Sequence, residues 1–172
     1  MHHMRSFVHQ EFGNDGWRSV LEAVGPADAT ELGGLLPVGW YSLALQHRLL
    51  RTIDDTLGTG DAALVTRIGH YEAQQDLTVV HRLFLRMANP GFVLQQVGRY
   101  WGRFYKCGTW DVQRQSSKQA SGQLRDVDPF DPLMADYLHA YIREMWTLMG
   151  VRMKRTQCQV RDRVIHFEAS WQ

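Results

Sequence analysis

The closing stretch of the chain, VIHFEASW from Val164 to Trp171, carries the clearest structural pattern in the sequence. Its apolar residues occupy every second position, and His166 and Glu168 fill alternate positions. Because successive side chains of a β-strand point to opposite faces, this alternation predicts a strand with one buried and one wetted face. The face predicted to be buried consists of Ile165, Phe167, Ala169 and Trp171.

The segments before this strand predict the rest of an antiparallel sheet. A strand around residues 151–153 is predicted to pair with the closing strand across a four-residue turn at residues 159–162. Further back, Trp110 and Val112 alternate with polar neighbours, which predicts another strand. Residues 113–128 are almost wholly polar, and this composition predicts a solvent-facing hairpin or a mobile loop.

Most of the first half of the chain has the periodicity of helices. A short helix is predicted after Asn14 and Asp15, and residues 1–13 are predicted to be frayed. From Trp40 onward, apolar residues recur every four positions and predict a helix that ends at Gly58. That stripe consists of Leu45, Leu49, Ile53 and Leu57.

Further helices follow from similar signals. Asp61 is predicted to cap the next helix, and helical spacing continues as far as Met87. Asn89 and Pro90 form a cap-then-proline signal for a helix rich in aromatic residues. A last helix is predicted to open at residues 128–129, with an inner face of Phe130, Met134, Tyr137, Tyr141, Met145 and Leu148.

The order of elements is therefore several helices, then strand, strand, helix, strand and strand. This order predicts the α+β class, with N-terminal helices packed on a four-stranded antiparallel sheet. A length of 172 residues predicts one domain over residues 1–172. A chain of this size buries roughly 70% of its unfolded surface, so a core forms without disulfides.

The composition indicates a soluble, cytoplasmic protein. A net charge of +1 gives no overall field that would gather nucleic acid, and no segment has the apolar length of a membrane span. Two cysteines, Cys107 and Cys158, are too few for a disulfide framework. The basic residues near the end of the chain fit the wetted face of an antiparallel sheet, and they are Arg152, Lys154, Arg155, Arg161 and Arg163.

Aromatic residues give the strongest candidate for a binding site, because pockets for apolar ligands are lined by such side chains around a few polar groups. The predicted lining is Phe92, Val97, Trp101, Phe104, Tyr105, Tyr137, Tyr141 and Phe167. The alternative is that these residues simply fill a core. Gly98 and Gly102, one turn apart, predict a close approach by another helix, a dimer mate or a ligand, since glycine costs about 1 kcal/mol relative to alanine inside a helix.

Catalytic signatures do not occur in the sequence. It contains no Gly-x-Ser-x-Gly elbow, no Walker loop and no dinucleotide fingerprint. Asp54 and Asp55 are adjacent, so on a helix they diverge by about 100° and cannot easily share a proton. The spacing of the histidines and cysteines along the sequence does not predict a metal site, because they could meet only through tertiary contacts. The sequence thus favours a protein that is not an enzyme, without a cofactor or metal.

Several weak motifs, taken in order, resemble a known superfamily. They are Gly39-Trp40-Tyr41, Gly60-Asp61, Ile68-Gly69, the segment 90–108 with Tyr100-Trp101 and Phe104-Tyr105, and Ile165-His166-Phe167-Glu168. Followed by the strand–strand–helix–strand–strand order, they resemble the superfamily of haem–nitric-oxide-binding domains, 4-vinyl-reductase-type domains and TRAPP vesicle-tethering subunits. Within it, the chain is most similar to a myxobacterial paralogous family of unknown function.

The resemblance implies an apolar cavity between helices and sheet that holds an apolar small molecule or acyl chain, in a homodimer. The function that it implies is a sensory or regulatory one. The alternative within the superfamily is a TRAPP-like scaffold whose interior is filled. A haem-based gas sensor is disfavoured, because haem-binding members carry a Tyr-x-Ser-x-Arg motif that this sequence lacks; His81 is the candidate axial ligand.

Overall fold

The computed structural model of the chain describes residues 1–37, 39–77 and 90–172. Within these residues, six helices and a four-stranded antiparallel sheet form an α+β fold, as the order of elements predicted. The helices are α1 (His2–Val24), α2 (Pro26–Gly33), α3 (Leu43–Leu57), α4 (Ala63–Asp76), α5 (Pro90–Phe104) and α6 (Leu133–Leu148). The strands are β1 (Thr109–Ser116), β2 (Gln119–Arg125), β3 (Met153–Arg161) and β4 (Val164–Trp171).

The sheet has the order β1-β2-β4-β3, so that β2 and β4 are central and β1 and β3 form the edges. On its inner face, Leu124 of β2 lies between Trp110 of β1 and Ile165 of β4. Ile165, Phe167 and Trp171 are all buried, which confirms the face predicted from the closing stretch. Register shifts interrupt both edge strands, between Arg114 and Ser116 in β1 and between Met153 and Arg155 in β3.

The turn between β3 and β4 is shorter than the sequence predicted. Strand β3 continues to Arg161, which pairs with Val164, so the turn is only Asp162 and Arg163 rather than residues 159–162. Both turn residues have positive φ, at 50° and 61°, as a type I′ hairpin requires. The sequence offered no glycine or asparagine there to mark it. The polar residues 113–128 form the β1–β2 hairpin for most of their length.

Residues 1–13, predicted to be frayed, instead form the first half of α1. Met4, Phe7 and Val8 are three and four residues apart and have exposed fractions of 0%, 4% and 0%. This apolar stripe packs into the main core, and its burial offsets the entropy of ordering the terminus. Gly13 has positive φ and lies at a kink within α1, just before the predicted cap at Asn14 and Asp15.

Side chains cap the helices at positions that differ from the predictions. Helix α3 begins after Ser42, whose hydroxyl accepts a hydrogen bond from the Leu45 amide at 3.1 Å, rather than at Trp40. Helix α6 begins at Leu133, with Pro132 at the N-cap position, and the Asp131 carboxylate accepts from the Leu133 amide at 3.0 Å. Asp61 accepts from the Ala63 amide at 3.0 Å, close to its predicted role.

Buried Asp54 supplies a second cap that the sequence did not show. It is 2% exposed on α3, and its carboxylate accepts from the amides of Ala62 at 2.9 Å and Leu64 at 3.3 Å. These amides belong to the unsatisfied N-terminal groups of α4. Asp54 thereby fixes the start of α4 against the end of α3.

Helices α4 and α6 pack closely at Gly69. A Cβ atom built at Gly69 would meet the carbonyl oxygen of Tyr137 and lie 2.9 Å from the Cβ of Ala140. The absence of a side chain at Gly69 therefore sets the separation of the two helices. No helix in the described ranges is long and apolar enough to cross a membrane.

Candidate functional site

A row of aromatic side chains runs from the inner face of the sheet to α5. The ring centroid of Phe167 on β4 lies 4.9 Å from that of Trp110 on β1. Trp110 lies 6.2 Å from Trp101 on α5, and Trp101 stacks on Tyr105 at 4.2 Å with an interplanar angle of 19°. We call these four residues the aromatic row. These residues lie in or against one hydrophobic core, so α5 and β4 share one apolar interior.

Glycines allow α5 to approach β1 along this row. A Cβ atom at Gly98 would lie 3.1 Å from the carbonyl oxygen of Trp110. Gly108 has a φ of 86°, and a Cβ atom there would lie 3.0 Å from Nε1 of Trp101. The indole N–H of Trp101 is thus free to donate to the Cys107 carbonyl at 2.8 Å. The close approach predicted at Gly98 is made by a strand, while Gly102 has no described atom within 4 Å of its Cβ position.

Three tyrosines, which we call the phenol cluster, extend the row towards α4. They are Tyr105, and Tyr137 and Tyr141 on α6, whose two rings lie 6.5 Å apart. The Tyr105 hydroxyl accepts from the Gln46 amide at 3.4 Å, and the Tyr137 hydroxyl donates to the carboxylate of Glu72. The hydroxyl of Tyr141 donates to Asp76 at 3.1 Å. The phenol cluster is therefore the polar end of an otherwise apolar interior.

Burial controls the electrostatics of the phenol cluster. It raises the pKa of Tyr105 to about 12 and raises the pKa of Tyr137 well above its usual value, with the Glu72 carboxylate adding to both shifts. Burial, with Asp76 adding to it, also raises the pKa of Tyr141. Glu72 is 4% exposed and lies 3.6 Å from the Met1 ammonium group. All three phenols are thus neutral at physiological pH, and those of Tyr137 and Tyr141 donate to carboxylates.

Removal of the Tyr137 hydroxyl is expected to destabilise the fold. In Tyr137→Phe, the buried Glu72 carboxylate loses a donor, and this loss should lower the free energy of unfolding by about 1–3 kcal/mol. Urea denaturation measures the change. Tyr41→Phe is the matched control, because Tyr41 is only partly buried and its hydroxyl accepts from the exposed Leu36 amide. If the free energy of unfolding falls equally in both variants, the hydrogen bond from Tyr137 to Glu72 does not stabilise the fold.

The other three residues of the predicted pocket are not members of the aromatic row or the phenol cluster. Val97 packs against the main core from α5. Phe92, near the start of α5, is 54% exposed and does not line the interior. The side chain of Phe104 is outside the described part of the chain. Five of the eight predicted residues, Trp101, Tyr105, Tyr137, Tyr141 and Phe167, are therefore in the aromatic row or the phenol cluster.

Sequence reasoning missed Trp110 and Glu72 as members of this site. Trp110 was recognised as a strand residue, but its position between Trp101 and Phe167 depends on how α5 crosses the sheet. The burial of Glu72 could have been predicted from the sequence. It follows Leu64 and Ile68 at intervals of four residues, so it is a carboxylate within an apolar helical stripe, and such a residue needs a buried partner.

Little empty space remains between α6 and the sheet. The cavity there has a volume of about 20 Å³, with Trp110 and Phe167 of the aromatic row in its wall. A single water molecule needs roughly 10–15 Å³ by this measure. This cavity between α6 and the sheet therefore has room for about one water molecule.

Two observations on the described residues bear on a haem or metal site. The space between α6 and the sheet is far smaller than a porphyrin, and the indoles of Trp101 and Trp110 fill the junction of α5 with β1. The sequence has no histidine between His81 and His139, so α5 cannot supply an axial imidazole. His81 lies outside the described residues. In the described ranges, no three histidine, cysteine or acidic residues group as metal ligands would.

Buried histidines and phenols are expected to confine stability to a range of pH. Burial lowers the pKa of His47 and His139 below 6.5, so the unfolded chain binds protons that the folded chain does not. Their contribution to the free energy of unfolding is complete above pH 6.5 and is lost as the pH falls from 6.5 through the pKa values of the folded state. At the other end, Tyr105 ionises near pH 10 when unfolded and near pKa 12 when folded, so stability falls as the pH rises from 10 to about 12.

Calorimetric melting temperatures measured from pH 5 to pH 11 test this dependence. The variant His139→Gln should flatten the acid limb and leave the alkaline limb unchanged. A parent protein whose melting temperature is constant between pH 5 and 6.5 would contradict the assignment of the two histidines.

Comparisons with known proteins identify the fold. No model of a known family matches the chain, and no curated protein matches it. Solved structures do match, among them the Fe(II) unliganded H-NOX protein from K. algicida, at 9% identity and a TM-score of 0.76. That match covers 97% of this chain and 91% of the other.

Two further matches are also H-NOX proteins. The S. oneidensis protein in the Fe(II)NO ligation state has 9% identity and a TM-score of 0.73, covering 99% of this chain and 96% of that one. The Shewanella woodyi protein, bound to IWP-051 in the Fe(II)CO ligation state, has 12% identity and a TM-score of 0.70, covering 98% and 90%. The chain therefore has the haem–nitric-oxide-binding fold. The predicted likeness to 4-vinyl-reductase-type and TRAPP proteins stays a prediction.

Proposed function

We propose that the chain is a non-enzymatic, cytoplasmic sensory domain that binds an apolar small molecule or acyl chain and acts as a homodimer. The observation that carries this proposal is the aromatic row, which continues into the phenol cluster. Stacked rings offer an apolar wall, and Tyr137 with Glu72 offers one polar anchor, which is the composition of a small-molecule site. The H-NOX neighbours, described with NO and CO, add support because they use the same fold.

The proposed ligand lies beside α5, against the aromatic row. Its apolar part contacts Trp101 and Tyr105, and its polar end reaches the phenols. A ligand can shift an equilibrium only through different affinities for two states. Here the two states differ in how closely α5 lies against β1, since Gly98 and Trp101 make that contact with Trp110.

A second function has a specific observation in its favour. The layer between α6 and the sheet is nearly solid, with a cavity of about 20 Å³, and this supports a scaffold that works through its surface. Exposed Leu36 and Trp40, at 63% and 59%, are apolar residues that such a surface would use. In this case the aromatic row would be core packing.

Mass spectrometry of freshly purified protein separates the two functions. If the sensory function is correct, native spectra should exceed denaturing spectra by a bound mass, or the protein should take up a fatty acid or hydrocarbon saturably. Trp101→Leu should lower the affinity for the fatty acid or hydrocarbon at least tenfold. Trp40 is exposed, so Trp40→Leu should leave this affinity unchanged. Identical masses and no saturable uptake would favour the scaffold.

Two controls accompany this experiment. Size-exclusion chromatography with light scattering measures whether the chain is a dimer with and without ligand. Expression with haem supplied tests the gas-sensor alternative, since a purified protein without a Soret band is not a haem sensor.

A further inference from the structure

A small cavity lies between α6 and the inner face of the sheet, and it shares Trp110 and Phe167, but not Trp101 or Tyr105, with the aromatic row. Its wall includes Trp146 and His139 from α6, Trp110 and Gly122 from β1 and β2, and Thr156 from β3. Its volume of about 20 Å³ suits one water molecule or one ion of similar size.

Two buried hydrogen-bond donors in this wall have no partner. Nε1 of Trp110 and Nε1 of Trp146 are inaccessible to solvent and meet no acceptor in the described part of the chain. Trp146 is 0% exposed, with its ring stacked 5.4 Å from that of Trp171. Buried indole N–H groups normally find an acceptor, because a lone buried donor loses its hydrogen bond to water. Two such groups in the wall of one cavity indicate that an acceptor belongs there.

The indole of Trp110 is oriented over Gly122. Its Cζ2 and Cε2 atoms lie 3.4 and 3.7 Å from the Cβ position of Gly122, and its Cδ1 lies 3.4 Å from that of Gly98. Nε1 is bonded to Cδ1 and Cε2, so it lies on the ring edge between the atoms that approach Gly98 and Gly122. A side chain at Gly122 would occupy the space in front of this edge of the ring.

The other groups of the wall favour a small hydrogen-bond acceptor, and they favour neither a neutral nor a charged one. His139 Nε2 and Thr156 Oγ1 are 3.1 Å apart and satisfy each other. Arg143 and Glu168 both line the cavity and carry opposite charges. The unsatisfied groups are therefore donors, and the size limit excludes a polyatomic anion or an organic molecule.

We propose that this cavity binds one small hydrogen-bond acceptor from solvent, a water molecule or a halide ion, which accepts from the indole N–H groups of both Trp110 and Trp146. The acceptor links α6 to the aromatic row through Trp110. The site shares Trp110 with the aromatic row, but its acceptor is held by indole N–H groups and does not require an apolar ligand beside α5.

Nuclear magnetic resonance of the indole N–H groups tests the proposal. Trp110→Phe and Trp146→Phe assign the two resonances, and sodium bromide is titrated against sodium sulfate at equal ionic strength. A halide is the acceptor if both resonances shift saturably with bromide alone. Water is the acceptor if neither shifts but both show cross-relaxation to a long-lived water molecule.

The variants decide whether the two donors share one site. Gly122→Ala, whose methyl group would fill the space beside Trp110, should abolish the bromide shift or the water cross-relaxation of both indoles. Each Trp→Phe variant should weaken the response of the remaining indole at least tenfold. The proposal is overturned if neither bromide nor water is detected at either indole, or if each indole responds unchanged when the other is removed.

Discussion

Replacement of Trp146 by alanine should lower the free energy of unfolding by about 3–5 kcal/mol. Trp146 is the largest of the fully buried side chains, and it joins α6 to the end of β4 through its stack on Trp171. The alanine variant loses the transfer free energy of the indole and leaves a cavity that the sheet cannot fill. Urea unfolding, followed by circular dichroism because fluorescence changes with the substitution, measures the loss.

Trp40→Ala is the matched control for this prediction. Trp40 is 59% exposed, and its ring lies 5.1 Å from the Lys106 ammonium group, so its removal should change stability by no more than about 0.5–1 kcal/mol. A loss below 1 kcal/mol in Trp146→Ala would mean that α6 is not held to the sheet by this residue.

The same substitution at two helical glycines should have opposite effects. Gly69→Ala adds a methyl group against the Tyr137 carbonyl and Ala140 at the crossing of α4 and α6, so the helices must separate. We expect a loss of about 1–3 kcal/mol from this overpacking. Gly102→Ala adds its methyl group where no described atom lies within 4 Å, and the better helix propensity of alanine should add about 0.5–1 kcal/mol.

Thermal denaturation of the two variants beside the parent protein measures this difference in sign. If both alanines stabilise the protein, the crossing of α4 and α6 is looser than Gly69 indicates. If both destabilise it, Gly102 has a neighbour, and a second copy of the chain is the first to test by light scattering.

The elements that could be predicted from sequence are those whose own residues determine their burial. The alternation of Ile165, Phe167 and Trp171 is a local property, and it predicted the buried face of β4 correctly. The α+β class followed from the order of such patterns. The start of α6 could not be predicted in this way, because Asp128-Pro129 and Asp131-Pro132 both give initiation signals and the helix begins after the second.

The N-terminus and the last turn show two other limits. Met4, Phe7 and Val8 are buried because other helices cover them. The sequence of residues 1–13 alone does not predict that contact. Asp162 and Arg163 adopt positive φ because β3 and β4 pair up to Arg161 and Val164, so strand pairing overrides the weak turn preference of these residues.

Most of the candidate site was predictable as residue types but not as an arrangement. The sequence singled out Trp101, Tyr105 and Tyr137 because aromatic residues recur on helical faces. It did not show that Trp110 would bridge Trp101 to Phe167, since that contact requires α5 to cross β1 at Gly98. Whether these rings line a pocket or fill a core depends on space between elements, which no single segment encodes.

The irregular margins of the sheet restrict how copies of this chain can associate. An uninterrupted outer strand offers a row of free amide and carbonyl groups to any chain that arrives in register. Here the ladder is broken near Arg114 on one margin and near Met153 on the other. At these two points the outer strands are poor templates for strand addition, because a bulge turns the free amide and carbonyl groups out of register.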